Sequence, residues 1–254
     1  MNDGVLDPEG PPLPTAQVMG QWWCDISFLH WRVAPEVVAP LLPRGVRPDL
    51  HDGSAWVGLI PFRMVDAGLG RGRPVPWLGT FLETNVRLYS VDEEGRHGVV
   101  FRSLDADRLP VVVGANVVFG VPYRWAAMGV SPRTAGPDPR GSRLSYRSRR
   151  RGSGAGGRID VEVGEPIGDP SPLEVFLTAR FGLHTSLFGR TLWVPNTHRA
   201  WPLHRARLTH LEDTLVAAAG LPGSLVSSRP ESVLFSPGVR TVFGLPQLVG
   251  HGRR

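Results

Sequence analysis

Residues 81–128 read FLETNVRLYSVDEEGRHGVVFRSLDADRLPVVVGANVVFGVPYRWAAM. With the two-residue period of a strand, the opening segment places Glu83, Asn85, Arg87 and Tyr89 on one face and Leu82, Thr84, Val86 and Leu88 on the other. The second face is built to pack, whereas the first carries groups capable of chemistry. The turn-forming run DEEGR follows and Gly98–Asp105 reads as the returning strand, so residues 81–105 are expected to form a hairpin. Two placements suit such a polar face. On an open sheet it meets water, and inside a closed sheet it lines a pocket. Glu83 and Arg87, four residues apart on that face, are accordingly either site groups or a structural ion pair with partners on the neighbouring strand.

Around this stretch the chain is punctuated by 31 Gly and 25 Pro among 254 residues, which suits many short strands better than a helical bundle. The length fits one domain with a sizeable core. The expected organisation is a flexible tail over residues 1–15, rich in Pro and Gly, and a single domain over 16–250. The formal charge of +5 is modest, and all 28 basic residues are Arg, because the sequence contains no Lys. One cysteine, Cys24, excludes an intramolecular disulfide and fits a reducing cytoplasm, with the thiol read as buried and inert. No basic leader precedes an apolar core at the start, and no run approaches about 18 uninterrupted apolar residues, so no membrane span is expected.

Strands are expected at Trp22–Val33 and Ser54–Val65, the latter after a tight Asp52-Gly53 turn, and a short helix opens at Ala34-Pro35-Glu36. GLGRGRPVPWLG, residues 68–79, reads as a loop, and Pro122–Met128 as a strand. Leu144–Arg151 and Arg158–Val163 form a second predicted hairpin. Its arginine cluster lacks aromatic platforms beyond Tyr146 and any nucleic-acid motif, which argues against a nucleic-acid partner and for solvated edge strands. Ser171-Pro172-Leu173-Glu174 is a capping box that opens a helix through about Phe181. A last helix is expected over Glu212–Ala219 before Gly220, and one more strand at Ser232–Phe235 before an Arg-ended tail.

Several motifs resemble one family. The run E-x-N-x-R-x-Y at Glu83–Tyr89, S-L-D-A at Ser103–Ala106 and V-P-Y-x-x-A at Val121–Ala126 are similar to the YqjF-like bacterial family of the acetoacetate-decarboxylase-like superfamily. F-L-H-W at Phe28–Trp31, L-L-P-R-G at Leu41–Gly45, D-G-x-A-W-V-G at Asp52–Gly58, P-F at Pro61–Phe62 and W-P-L at Trp201–Leu203 follow the family's order. The resemblance implies a mainly β fold in which strands curl into a barrel or cone around a cavity, with a few short helices at its ends. It also implies a helix over Leu109–Phe119, where five valines favour a strand by propensity, and allows the 68–79 loop to lie over the pocket mouth instead of being a plain connector.

Related enzymes of the superfamily place a reactive lysine after Gly-x-Pro. The approximate counterpart here is Val121-Pro122-Tyr123-Arg124, with Tyr or Arg in its stead, and neither can form an imine. Decarboxylation through a lysine Schiff base is therefore excluded. Glu83, Tyr123 and His198 are the expected acid/base groups, the histidine by its resemblance to the family's His before W-P-L. Arg87, Asn85, Tyr89, Arg124 and His30 are the expected substrate-binding groups, with Arg87 gripping a carboxylate or enolate through paired hydrogen bonds.

No metal is expected. His198, His204 and His210 recur every six residues, which sets them roughly 20 Å apart on one strand, and Pro202 interrupts the run. No nucleotide fingerprint or zinc-protease motif occurs, so no cofactor is expected. The reading is a cytoplasmic, cofactor-independent enzyme of lyase, isomerase, hydratase or cyclase type, acting on a carbonyl- or carboxylate-bearing small molecule in an interior cavity. The alternative is a non-catalytic small-molecule binder using the same cavity. Eight Trp and exposed strand edges are compatible with a homodimer.

Overall fold

The structure is a computed structural model that describes residues 6–70, 72–110, 120–131 and 138–250. Its strands are β1 (Gln17–Val33), β2 (Val46–Pro48), β3 (Ala55–Leu69), β4 (Phe81–Asp92), β5 (His97–Ala106), β6 (Tyr123–Ser131) and β7 (Arg143–Arg150). They continue with β8 (Gly156–Pro166), β9 (Gly182–Leu187), β10 (Arg190–Thr197), β11 (His204–Asp213), β12 (Ser232–Gly244) and β13 (Gln247–Leu248). All belong to one sheet, ordered β13-β10-β9-β5-β6-β7-β8-β11-β12-β1-β3-β4-β2.

Two further pairings, β4 with β5 and β10 with β12, close that sheet on itself. The first closure makes a ring that runs through β6, β7, β8 and β11, and the second makes a smaller ring through β9 and β10. Both rings share the wall β12-β1-β3-β4-β5. The larger is filled by side chains, among them Leu29, Trp31, Leu59, Leu144, Val161 and Phe235. The smaller encloses a cavity.

β4 lies in the shared wall, which decides the question its sequence left open. Every residue of it is buried except the half-buried Leu82. Val86 and Leu88 pack into the filled ring, while Glu83, Asn85 and Arg87 line the cavity of the other. The polar face meets a pocket and not bulk water, because the strand has a ring on each side.

The local turn chemistry follows the sequence. Asp52 and Gly53 both adopt positive φ, 50° and 72°, in the tight turn between the bridged residues His51 and Ser54. The Ser171 side chain and Glu174 complete the reciprocal capping box, and the helix runs over Pro172–Thr178, stopping short of Phe181. A shorter final helix replaces the expected Glu212–Ala219. It spans Leu215–Ala218, because Glu212 and Asp213 are held extended by pairing with Arg158 and Gly157 of β8. The strand expected at Ser232–Phe235 continues to Gly244, since pairing with β1 holds the whole segment.

Residues 6–15 contain neither helix nor strand and touch the sheet at two points. Gly10 N–H donates to the His198 carbonyl at 3.0 Å, and Thr15 Oγ1 accepts from Leu245 N–H at 2.7 Å. The helix expected over Leu109–Phe119 falls on residues 111–119, outside the described residues. Cys24 is half-buried, and burial raises its thiol pKa. No helix among the described residues is long and apolar enough to cross a membrane.

The smaller ring closes where β5 meets β9 at Val99 and Leu183, and two glycines there make room for the Trp193 ring. A Cβ on Gly182 would stand 2.3 Å from that ring, and one on Gly98 2.5 Å. Gly182→Ala is expected to lower stability by about 1–3 kcal/mol through overpacking, read from the denaturant midpoint. Gly129→Ala on β6, where a Cβ meets nothing, is expected to stay within about 0.5 kcal/mol.

Candidate active site

The cavity has a volume of about 410 Å³. Every strand of the smaller ring contributes to its wall: Trp23 and Ile26 from β1, Phe62 from β3, Glu83 and Arg87 from β4, and residues of β5, β9, β10 and β12. Trp23 and Ile26 both face inward although three residues apart. A bulge at Asp25, whose φ is 49°, reverses the alternation between them. That strained residue is anchored by an ion pair from its carboxylate to Arg63 at 2.7 Å, and its backbone carbonyl accepts the Tyr146 hydroxyl at 2.7 Å.

Glu83 and Tyr123 form the first polar group in the wall. The Tyr123 hydroxyl donates to Glu83 Oε2 at 2.7 Å, and Asn85 Nδ2 donates to Oε1 at 3.3 Å. Tyr123 arrives from the start of β6, which pairs in parallel with β5 so that it stands beside Leu104. Burial drives the Glu83 pKa up from 4.5 to about 7, against the pull of these two hydrogen bonds, and the nearby Asp105 raises it further. Burial and the Glu83 carboxylate hold Tyr123 well above the ordinary phenol range, so it is a neutral donor.

Arg87 is held apart from this pair. Its Nε donates to Tyr89 Oη at 3.1 Å and one Nη to the Leu177 carbonyl at 3.0 Å. Its guanidinium also lies over the rings of Phe28 and Tyr89, at 5.5 and 5.3 Å. Tyr89 donates its own proton to Leu177 O at 3.1 Å, so the 2.6 Å contact with His30 Nε2 requires the proton on that histidine nitrogen. His30 is neutral, its pKa pushed far down by burial and by Arg87 and Arg180. Glu83 and Arg87 therefore do not form the ion pair that their spacing allowed, and among the described residues the hydrogen-bond partners of each are neutral.

Arg180 is a wall residue that the sequence did not reveal. It follows the helix Pro172–Thr178, donates from Nε to Phe176 O at 2.7 Å, and is ion-paired with Asp49. Its other terminal nitrogen is buried with no hydrogen-bond partner among the described residues, as are Asn85 Oδ1 and Asn196 Oδ1 in the same wall. No local pattern marks Arg180. Only the register of the helix against the ring brings it to the cavity.

The expected site residues thus separate into three groups. Glu83, Asn85, Arg87, Tyr123 and His198 line the cavity. Tyr89 and His30 are fully buried behind the wall and position Arg87. Arg124 is a correction: it is exposed, because it takes the outward position in the alternation of β6 next to Tyr123. His198 lines the cavity but is not bonded to the carboxylate. Its Nδ1 donates to Arg199 O at 2.7 Å, and burial lowers its pKa, so it is neutral. Ser90, His184 and Asp92 form a hydrogen-bonded chain resembling a hydrolase triad, but all three are fully buried and none lines the cavity.

A curled, mainly β sheet around a cavity of this kind is an acetoacetate-decarboxylase-like fold. The backbone is similar to acetoacetate decarboxylase from Legionella pneumophila, with a TM-score of 0.65 over 94% of this chain and 92% of that one at 15% identity. It is also similar to the enduracididine biosynthesis enzyme MppR complexed with the condensation product of pyruvate and imidazole 4-carboxaldehyde, with a TM-score of 0.63 over 97% and 98% of the chains at 17% identity. Within that fold, residues 20–240 match DUF2071, a family of uncharacterized conserved proteins, and the chain belongs to it. The uncharacterized protein YqjF of Bacillus subtilis (strain 168) is 29% identical over 235 residues, which cover 87% of this chain and 91% of that protein.

The raised Glu83 pKa has a measurable consequence for stability. Below pH 4.5 the group is protonated in both the folded and unfolded states and contributes nothing. As pH rises from 4.5 to about 7 the unfolded chain ionises first, and stability falls by roughly 3 kcal/mol in all. Glu83→Gln removes this penalty, so the variant is expected to be the more stable protein at pH 8. The advantage should vanish near pH 4.5 in parallel urea titrations.

Proposed function

We propose that the chain is a cofactor-independent enzyme acting on a carbonyl- and carboxylate-bearing small molecule, with Glu83 and Tyr123 as the proton-transfer pair and Arg87 as the anion anchor. The observation that carries this reading is a buried carboxylate with no cationic partner among the described residues, poised near neutrality and hydrogen-bonded to a tyrosine in a cavity wall. A carboxyl group with a pKa of about 7 is populated in both forms at working pH. As carboxylate it removes a proton from carbon beside the substrate carbonyl, and as acid it returns that proton to carbon or oxygen. Tyr123, neutral and adjacent, supplies a hydroxyl to the oxygen where charge develops.

The reaction classes that fit are isomerisation, hydration or dehydration, cyclisation and carbon–carbon cleavage, all of which need this proton traffic. A lysine imine is not among the routes, because the sequence contains no lysine. Arg87 supports anion binding because one terminal nitrogen has no hydrogen-bond partner among the described residues. The second reading, a binder without chemistry, is favoured by one feature, the largely apolar lining of Trp23, Ile26, Phe62, Phe81 and Phe243.

Turnover separates the two. Keto acids incubated with the protein in deuterium oxide are expected to exchange their acidic carbon protons, as seen by NMR. Glu83→Gln is expected to slow exchange about 100-fold or more, while Arg87→Leu weakens substrate binding first. Borohydride added during exchange should leave no covalent adduct in the protein mass. No exchange above the protein-free rate would leave only the binder, and exchange indifferent to Glu83→Gln would remove Glu83 as the proton-transfer group.

A further inference from the structure

β4 serves as a ruler along the cavity. Leu69 lines the wall and is 74% exposed, so the mouth lies at the loop after β3, where Ala67 N–H bonds to Gly79 O at 2.9 Å just before β4 begins. Phe81, Glu83, Asn85 and Arg87 then follow inward, and the fully buried Tyr89 stands behind Arg87. The Cα atoms of Glu83 and Arg87 are about 13 Å apart on an extended strand. Arg87 leans away from Glu83, since its Nε is bonded to Tyr89, two residues further in. The charged neighbour that raises the Glu83 pKa is Asp105.

Among the described residues, the closed end carries a net charge of one. Arg87 and Arg180 contribute two cations and Asp49 neutralises one of them, while His30 and His198 are neutral. The opposite end is lined by Met64, Ala67, Leu69, Val75 and Leu78. A cavity of about 410 Å³ lies in the range that encloses drug-sized ligands. A keto acid whose carbonyl sits one or two carbons from its carboxylate cannot touch Arg87 and Glu83 together.

We propose that this cavity takes an amphipathic monocarboxylic acid of medium chain length. Its carboxylate sits on Arg87 at the closed end, a polar function several bonds away lies opposite Glu83 and Tyr123, and an apolar tail runs past Phe81 to Leu69. This rests on the reading of Arg87 as the anion anchor and adds the length, charge and polarity of the ligand.

The test is calorimetry with straight-chain carboxylates of increasing length, the matched alcohols, and pyruvate, using the full chain. Affinity is expected to rise about fourfold per methylene, which is ~0.8 kcal/mol, until the tail reaches the mouth. Each acid should bind better than its alcohol, and pyruvate should be the weakest. Arg87→Leu should erase the preference for acid over alcohol and keep the length dependence, and Leu69→Asp should weaken only the longest members. Pyruvate binding as tightly as octanoate, or wild-type protein preferring octanol to octanoate, would overturn the proposal without recourse to a variant. A length series as expected, with no conversion that depends on Glu83, would uphold the ligand class and remove the catalytic role.

Discussion

Burial of β4 on both faces is the constraint on which the rest depends. A strand with one wet face can carry Glu and Arg at no cost, but a strand shared by two closed rings must take both groups out of water. Desolvation of an unpaired charge costs several kcal/mol. An ion pair between the two would have lowered that cost, and their alternation placed them for it, yet each is served by separate neutral partners. Burial moves Glu83 toward neutrality against the hydrogen bonds from Tyr123 and Asn85, and Arg87 rests on a carbonyl, a phenol and two aromatic rings.

The same constraint explains the layer behind the wall. An arginine aimed at a cavity must be fixed by residues that do not touch the ligand, and Tyr89, His30 and Leu177 O do this through one chain of hydrogen bonds. Arg180 is fixed likewise, by Phe176 O and Asp49. Asp49 also accepts from the half-exposed His97 at 2.7 Å, so the inner cation is tied by one carboxylate to the protein surface. Second partners of this kind set side-chain direction to within the tolerance that chemistry needs.

Much of this was legible in the sequence, and the residues show why. The alternation from Phe81 to Tyr89 gave the strand and a polar face carrying Glu83 and Arg87. The capping box at Ser171 and the Asp52-Gly53 turn were readable because their chemistry is local. Whether the polar face met water was not readable, since closure depends on β4–β5 and β10–β12 pairings far apart in sequence. Arg180 was missed for the same reason. Arg124 was misplaced because two adjacent residues of a strand point to opposite sides, and Tyr123 had already taken the inner one. The full length of β12 was hidden behind Pro237 and Gly238, which a sequence reading takes as a break but pairing with β1 carries through.

A double-mutant cycle on folding stability with Glu83→Gln and Arg87→Leu addresses the central claim, that the two charges are held independently as groups of one cavity. Separate partners predict a coupling within about 0.5 kcal/mol at pH 8. A coupling of about 2 kcal/mol or more in favour of the native pair would mean that they stabilise one another as a structural ion pair, and would contradict the account.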